Sequence, residues 1–175
     1  MADHEAIFRA HWRRHQPSLL RFLRARVGWN DADDLAQQVW VEMAPRLAPG
    51  ELAEDDVRKL LFTVAHRRVI DEYRRRERRA VPSDHLPDGV HHDVDRLGDE
   101  LSRLLDCVAD LAPDQADAVL LRILGDLPFG DVAAIMQRSE GAVRVLVHRG
   151  LHRLAELARA AGVTTQVSAS MKGAQ

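Results

Sequence analysis

Residues 5–79 carry apolar side chains at helical spacing almost without a break, and nowhere do they alternate apolar with polar as a strand would. A chain that begins this way is confined to an all-α fold. Two interruptions divide the run, at Gly28-Trp29-Asn30 and from Pro45 to Gly50. The first stretch offers Ile7, Phe8, His11 and Trp12 to a core and, after Pro17, Leu19, Leu20, Phe22 and Leu23. Asp31 can cap the second helix with Asp34 three residues on, because acidic side chains suit the positive helix end. Leu35, Val39 and Met43 form its inward stripe. A third helix, from about Val57, turns Val57, Leu61, Val64 and Ala65 inward and Lys59, Thr63, His66 and Arg67 outward. Ile70 falls on the polar side, where patterning gives no reason for it.

From Ala80 to about Glu100 the periodicity stops. VPSDHLPDGVHHDVDRLGDE, with its prolines, glycines and acids, reads as a flexible acidic linker. Helical spacing returns from Leu101 to Leu111 and, behind Pro113, from Ala118 to Leu124. The segment FGDVAAIMQRSEGAVRVLVHRGLHRL, residues 129–154, then reads as two helices broken at Gln137-Arg138-Ser139, with Ser139 a favourable N-cap. That is the grammar of a helix-turn-helix. On its second helix Val143, Val147, Gly150 and Leu154 share the inward stripe, while Val145, His148, Arg149 and His152 face out between Arg144 and Arg153. Such a cationic face with one apolar residue suits phosphates and base edges in a major groove. The same pattern also fits the solvated side of an ordinary helical hairpin. The fold expected is all-α: two small helical domains, 1–80 and 101–161, joined by the linker 81–100 and followed by a disordered tail, 162–175.

The formal net charge of -2 means that any nucleic-acid binding must rest on local patches. Opposite charges are indeed segregated. HRRVIDEYRRRERR, residues 66–79, holds seven arginines against three acids, whereas residues 84–110 hold eight acids against two arginines. In a free chain the linker acids Asp93, Asp95 and Asp99 would compete with phosphate for those arginines. Cys107 is the single cysteine, which excludes an internal disulfide and a multi-cysteine zinc site and fits a reducing cytoplasm. It lies on an apolar helix face, as a core residue does. MADHEAIFRAHWRRH has charges throughout and no apolar core of signal-peptide length, and no run approaches membrane-spanning length, so neither a signal peptide nor a membrane span is expected. His91-His92-Asp93 has the residue types of a metal-dependent hydrolase but lies in the linker without helical spacing or distant partner ligands. No catalytic residue, metal or cofactor is therefore expected.

Three segments stand in an order that resembles the extracytoplasmic-function group of bacterial sigma factors: DADDLAQQVWVEM (31–43), VRKLLFTVAHRRVIDEYRRRER (57–78) and LAPDQADAVLLRILGDLPFGDVAAIMQRSEGAVRVLVHRGLHRL (111–154). The resemblance implies an initiation factor without catalytic activity of its own. Its first domain would bind the RNA polymerase core and the minus-ten element, its second the minus-thirty-five element. It places Asp34, Leu35, Gln37, Gln38 and Trp40 in or beside the contact with the clamp helices of the large polymerase subunit. Gln38 stands where the family commonly has Glu. It assigns minus-ten contacts to Lys59, Phe62, His66, Arg67, Arg68, Arg74 and Arg75, which would offset the cost of holding bases out of the stack by stacking and by backbone contacts. Phe62 fits a core position equally well, and the arginine run fits a solvated helix end. Leu60 and Arg67 depart from the family's usual Trp and Asn, so base preference is not carried over. For the minus-thirty-five groove the matching residues are Ser139, Arg144, Val145, His148, Arg149 and His152. An anti-sigma partner is also implied. Two rivals remain open: a stand-alone helix-turn-helix regulator, which would bind duplex DNA without polymerase, and a metal-dependent hydrolase.

Overall fold

The computed structural model describes residues 2–47, 52–79 and 96–163. Seven helices carry them, and no strand occurs among the described residues. Helix α1 (Ala2–Val27) runs through Pro17, and α2 (Trp29–Leu47) follows after a single residue. That residue is Gly28, whose φ of 85° lies in the left-handed region that glycine enters without strain. The Arg24 guanidinium lies 4.3 Å from the centre of the Trp29 ring and braces this joint. Helix α2 thus begins two residues before Asp31, whose carboxylate pairs instead with Arg76 on α3 (Glu54–Arg79). Helix α3 in turn begins three residues before Val57.

These three helices close around the side chains that helical spacing turns inward. Leu19, Phe22, Leu23, Val39, Met43, Val57, Leu61 and Ala65 are wholly buried, and Phe22 meets Phe62 edge-on at 5.6 Å. Trp12 departs from expectation: at 42% exposed it lies outside the core.

The second module contains α4 (Arg96–Ala109), α5 (Pro113–Ile123), α6 (Phe129–Met136) and α7 (Glu140–Ala160). Helix α4 starts within the stretch expected as linker. Leu97, Leu101, Leu104 and Val108 recur at spacings of four, three and four, a helical stripe that Gly98 and the surrounding acids obscure. Cys107 is buried. At the far end the tail was expected from 162, yet Gly162 turns the chain with φ 69° and Val163 is buried, its N–H bonded to the Ala158 carbonyl.

The modules pack against one another. Helix α1 contacts α4 and α5, α3 contacts α6, and one apolar cluster runs through both modules. Asp93, Asp95 and the His91-His92-Asp93 triplet lie outside the described residues, as does the side chain of Asp99.

Candidate polymerase and promoter interfaces

The helix-turn-helix is built from its break outward. Gln137 adopts a left-handed φ of 54° and closes α6, and two residues later the Ser139 hydroxyl accepts the Ala142 N–H at 3.2 Å, capping α7. Val143 and Val147 enter the core and Leu154 packs against it. Gly150 lets α7 lie directly on α5, since a β-carbon there would stand 2.7 Å from Val119 Cγ2 and 3.3 Å from the Gln115 carbonyl oxygen. This close approach fixes which side of α7 faces out. Val145, His148, Arg149 and His152 are all exposed. Arg144 is braced by Glu140 at 2.5 Å and by the Phe129 ring at 4.3 Å, while His152 and Arg153 both approach Glu156. Among the described residues, none forms an ion pair or hydrogen bond with the side chains of His148 or Arg149.

Helix α2 presents Asp34, Gln37 and Gln38 to solvent, and Val41 beside them is 74% exposed. Leu35 and Trp40 face the other way, at 5% and 4% exposed. The Trp40 ring meets Phe8 edge-on, and its indole N–H donates to Gln16 Oε1.

On α3 nearly every cationic candidate already holds a carboxylate. Arg67 and Arg68 converge on Glu42 of α2, which also takes Arg46. The Arg67 hydrogen bond, outweighing partial burial, holds the Glu42 carboxyl down at about pKa 2. Arg75 and Arg76 share Glu72, whose pKa falls chiefly through the Arg75 bond. Arg74 is exposed near Asp71. Other partners come from the second module. Lys59 Nζ lies 2.6 Å from Asp131 on α6, a hydrogen-bonded pairing that raises the lysine pKa. Arg58 meets Asp126 at 3.1 Å. Asp117 of α5, which is buried, takes Arg26 Nε on one oxygen at 2.6 Å and faces His66 Nε2 with the other at 3.3 Å. Carboxylates of the second module therefore already neutralise Lys59, Arg58 and Arg26 of the first.

The family model for sigma-70 region 2 matches residues 11–79, and that for sigma-70 region 4 matches residues 101–154. The chain belongs to the extracytoplasmic-function sigma factors. It is 30% identical to the ECF RNA polymerase sigma factor SigD of Mycobacterium tuberculosis (strain ATCC 25618 / H37Rv), over 84% of this chain and 74% of that protein. It is 32% identical to the RNA polymerase sigma factor CarQ of Myxococcus xanthus, over 82% of this chain and 84% of that one. Two solved structures share the fold. One is the sigma factor RpoE in complex with the anti-sigma factor NepR from Bartonella quintana, at 21% identity and a TM-score of 0.66, covering 87% of this chain and 96% of that one. The other is CnrH in complex with the cytosolic domain of CnrY, at 20% identity and a TM-score of 0.60, covering 87% and 88%.

In this sigma factor several of the expected contact residues are elsewhere. Leu35 and Trp40 are core residues of α2 and cannot touch a partner without unpacking, because both are large apolar groups that α1 and α3 need for closure. Phe62 is likewise 1% exposed against Phe22, so it is unavailable for stacking on a base. Val41 is the residue that helical spacing passes over: it follows Gln37 and Gln38 at i+4 and i+3 and shares their face. No helix among the described residues is long and apolar enough to cross a membrane.

Proposed function

We propose that this sigma factor engages the polymerase core through the exposed α2 face of Asp34, Gln37, Gln38 and Val41, with Val41 as the apolar centre of the contact and the polar side chains as its rim. The units that act are residues 1–80 and 96–163, the second now taking in all of α4. Helix α3 holds the melted minus-ten strand through Lys59, His66, Arg67, Arg68, Arg74 and Arg75, once their intramolecular carboxylates are exchanged for phosphates. Helix α7 reads the minus-thirty-five element in the major groove with Arg144, Val145, His148, Arg149 and His152. A phosphate sits at the helix start beside Ser139.

The observation that carries this assignment is the face of α7. Its inward stripe is closed by core residues and Gly150, whereas His148 and Arg149 stand outward with no ion-pair or hydrogen-bond partner among the described residues. The factor works by binding, in the cytoplasm, and catalyses nothing. An anti-sigma protein is a further partner, since RpoE, which shares this fold, is found in complex with the anti-sigma factor NepR. Run-off transcription with core polymerase on a genomic library tests the whole scheme. Transcripts starting at a shared two-part motif, lost together in Arg149→Ala, are the expected result. Tight symmetric binding to duplex DNA without polymerase would instead establish a stand-alone regulator.

A further inference from the structure

In the first module, α1 brings His11 and His15, one helical turn apart, against Glu54 in the first turn of α3. One ligand atom from each lies within 4.8 Å of those of the other two. His11 Nδ1 stands 3.4 Å from Glu54 Oε2, and His15 Nε2 stands 2.7 Å from Glu54 Oε1. The two imidazole rings are nearly parallel, 9° apart in plane. Tetrahedral Zn2+ with bonds of about 2.0–2.1 Å separates its ligand atoms by about 3.3 Å, so only small side-chain shifts would be needed to seat the ion. His15 is 5% exposed, and Glu54 Oε1, 2.7 Å from His15 Nε2, also faces Arg14 Nε at 3.0 Å, so the carboxylate is already drawn onto the buried imidazole.

We propose that His11, His15 and Glu54 form a Zn2+ site that ties the N-terminal half of α1 to the first turn of α3. Two imidazoles and one carboxylate are a ligand set for a borderline divalent ion such as Zn2+, and they exclude a preference for Mg2+ or Ca2+, which take oxygen donors. Glu54 is 31% and His11 18% exposed, which leaves an entry path and a fourth position for water. Arg14, 3.0 Å from Glu54 Oε1 and largely exposed, turns outward to solvent or remains as an outer partner of the carboxylate. Arg58 is the other cation whose charge reaches the site. Bound ion would fix the start of the helix that carries Lys59 and His66.

Full-length protein, stripped of metal, is titrated with Zn2+ against a chromophoric chelator and separately with Co2+, whose visible absorption is intense only in tetrahedral surroundings. One equivalent of Zn2+ is expected, with a tetrahedral Co2+ spectrum. The melting temperature should rise by about 5–10 °C at a hundredfold excess of Zn2+ over its Kd. Glu54→Gln keeps the shape of the side chain and His11→Asn keeps a polar group at a partly buried position; with circular dichroism unchanged, each should weaken Zn2+ at least about tenfold. A chain carrying His91→Ala and His92→Ala should bind as the parent does. Absence of stoichiometric binding, an octahedral Co2+ spectrum, or loss of binding in the linker variant alone would overturn the assignment.

Discussion

Substituting Asp117 by asparagine removes one charge from the pair that joins the two modules while leaving its volume in place. Arg26 and Asp117 are each 5% exposed at the side chain and meet at 2.6 Å, so the guanidinium left behind would be buried without a counter-charge. Breaking a buried pair in this way costs about 3–5 kcal/mol. The other cross-module pairs cannot make up the difference, since Asp126 is 76% exposed and Lys59 43% exposed, and pairs of that kind are each worth about 0–1 kcal/mol. Separation of the modules lets Arg26 hydrate, so the ratio of closed to open chain should fall by about a hundredfold or more. Small-angle X-ray scattering should report a larger radius of gyration for Asp117→Asn. Affinity for promoter DNA at one stated salt concentration should rise as Lys59 and His66 are released. Arg26→Met combined with Asp117→Leu, which fills the same space without charge, should return the compact form. An Asp117→Asn chain as compact as the parent, binding DNA no better, would refute the idea that this contact holds the factor shut.

On α7, Arg149→Ala should weaken promoter duplex binding by about 1–3 kcal/mol and relax preference at one base pair, measured by binding to a set of single-base promoter variants. Val41→Asp should abolish pull-down of core polymerase with unchanged circular dichroism, whereas Trp40→Ala should lower stability by about 3–5 kcal/mol in urea unfolding because it empties a core position. Gly150→Ala should destabilise by about 1–3 kcal/mol despite the better helix propensity of alanine, since its β-carbon would overlap Val119; chemical denaturation reads this directly. The Glu42 carboxyl is depressed from 4.5 to about 2, so the stability it contributes is present above pH 4.5 and is lost as pH falls towards 2. Glu42→Gln should remove about 1 kcal/mol of that pH dependence, seen as a flatter acid-unfolding profile.

The inward stripes of α2, α3 and α7 were legible because one period of 3.6 residues governs both sequence and burial: Leu35, Val39, Met43, Val57, Leu61, Val143 and Val147 all lie where spacing puts them. The Ser139 cap was equally plain. Trp40 and Phe62 were not, because what decides an aromatic residue's role is its neighbour in space. Phe8 and Gln16 hold the one, and Phe22 the other. The Arg26–Asp117 contact spans 91 residues and belongs to no local pattern. Competition for the arginines of 66–79 was expected from linker acids that lie outside the described residues; among the described residues those arginines meet Glu42, Glu72, Asp31 and Asp71 of their own module, while Asp117 and Asp126 of the second take Arg26 and Arg58 and Asp131 takes Lys59. The His11, His15 and Glu54 cluster was hidden for a simpler reason. Helical spacing assigned His11 to the apolar side of α1 and began α3 only at Val57, leaving Glu54 outside any helix.

Gly150 also bears on how such a factor can change its target genes. Because α7 is held against α5 at a spacing that tolerates no side chain, the helix cannot roll about its axis, and the exposed positions 145, 148, 149 and 152 keep one orientation whatever residues occupy them. On the proposed reading of that face, folding and addressing are written on opposite sides of a single helix. A duplicated copy of the gene could acquire a new promoter preference through a few outward substitutions, each nearly neutral for stability. By the same logic, transplanting those four side chains between relatives should transfer the promoter preference along with them.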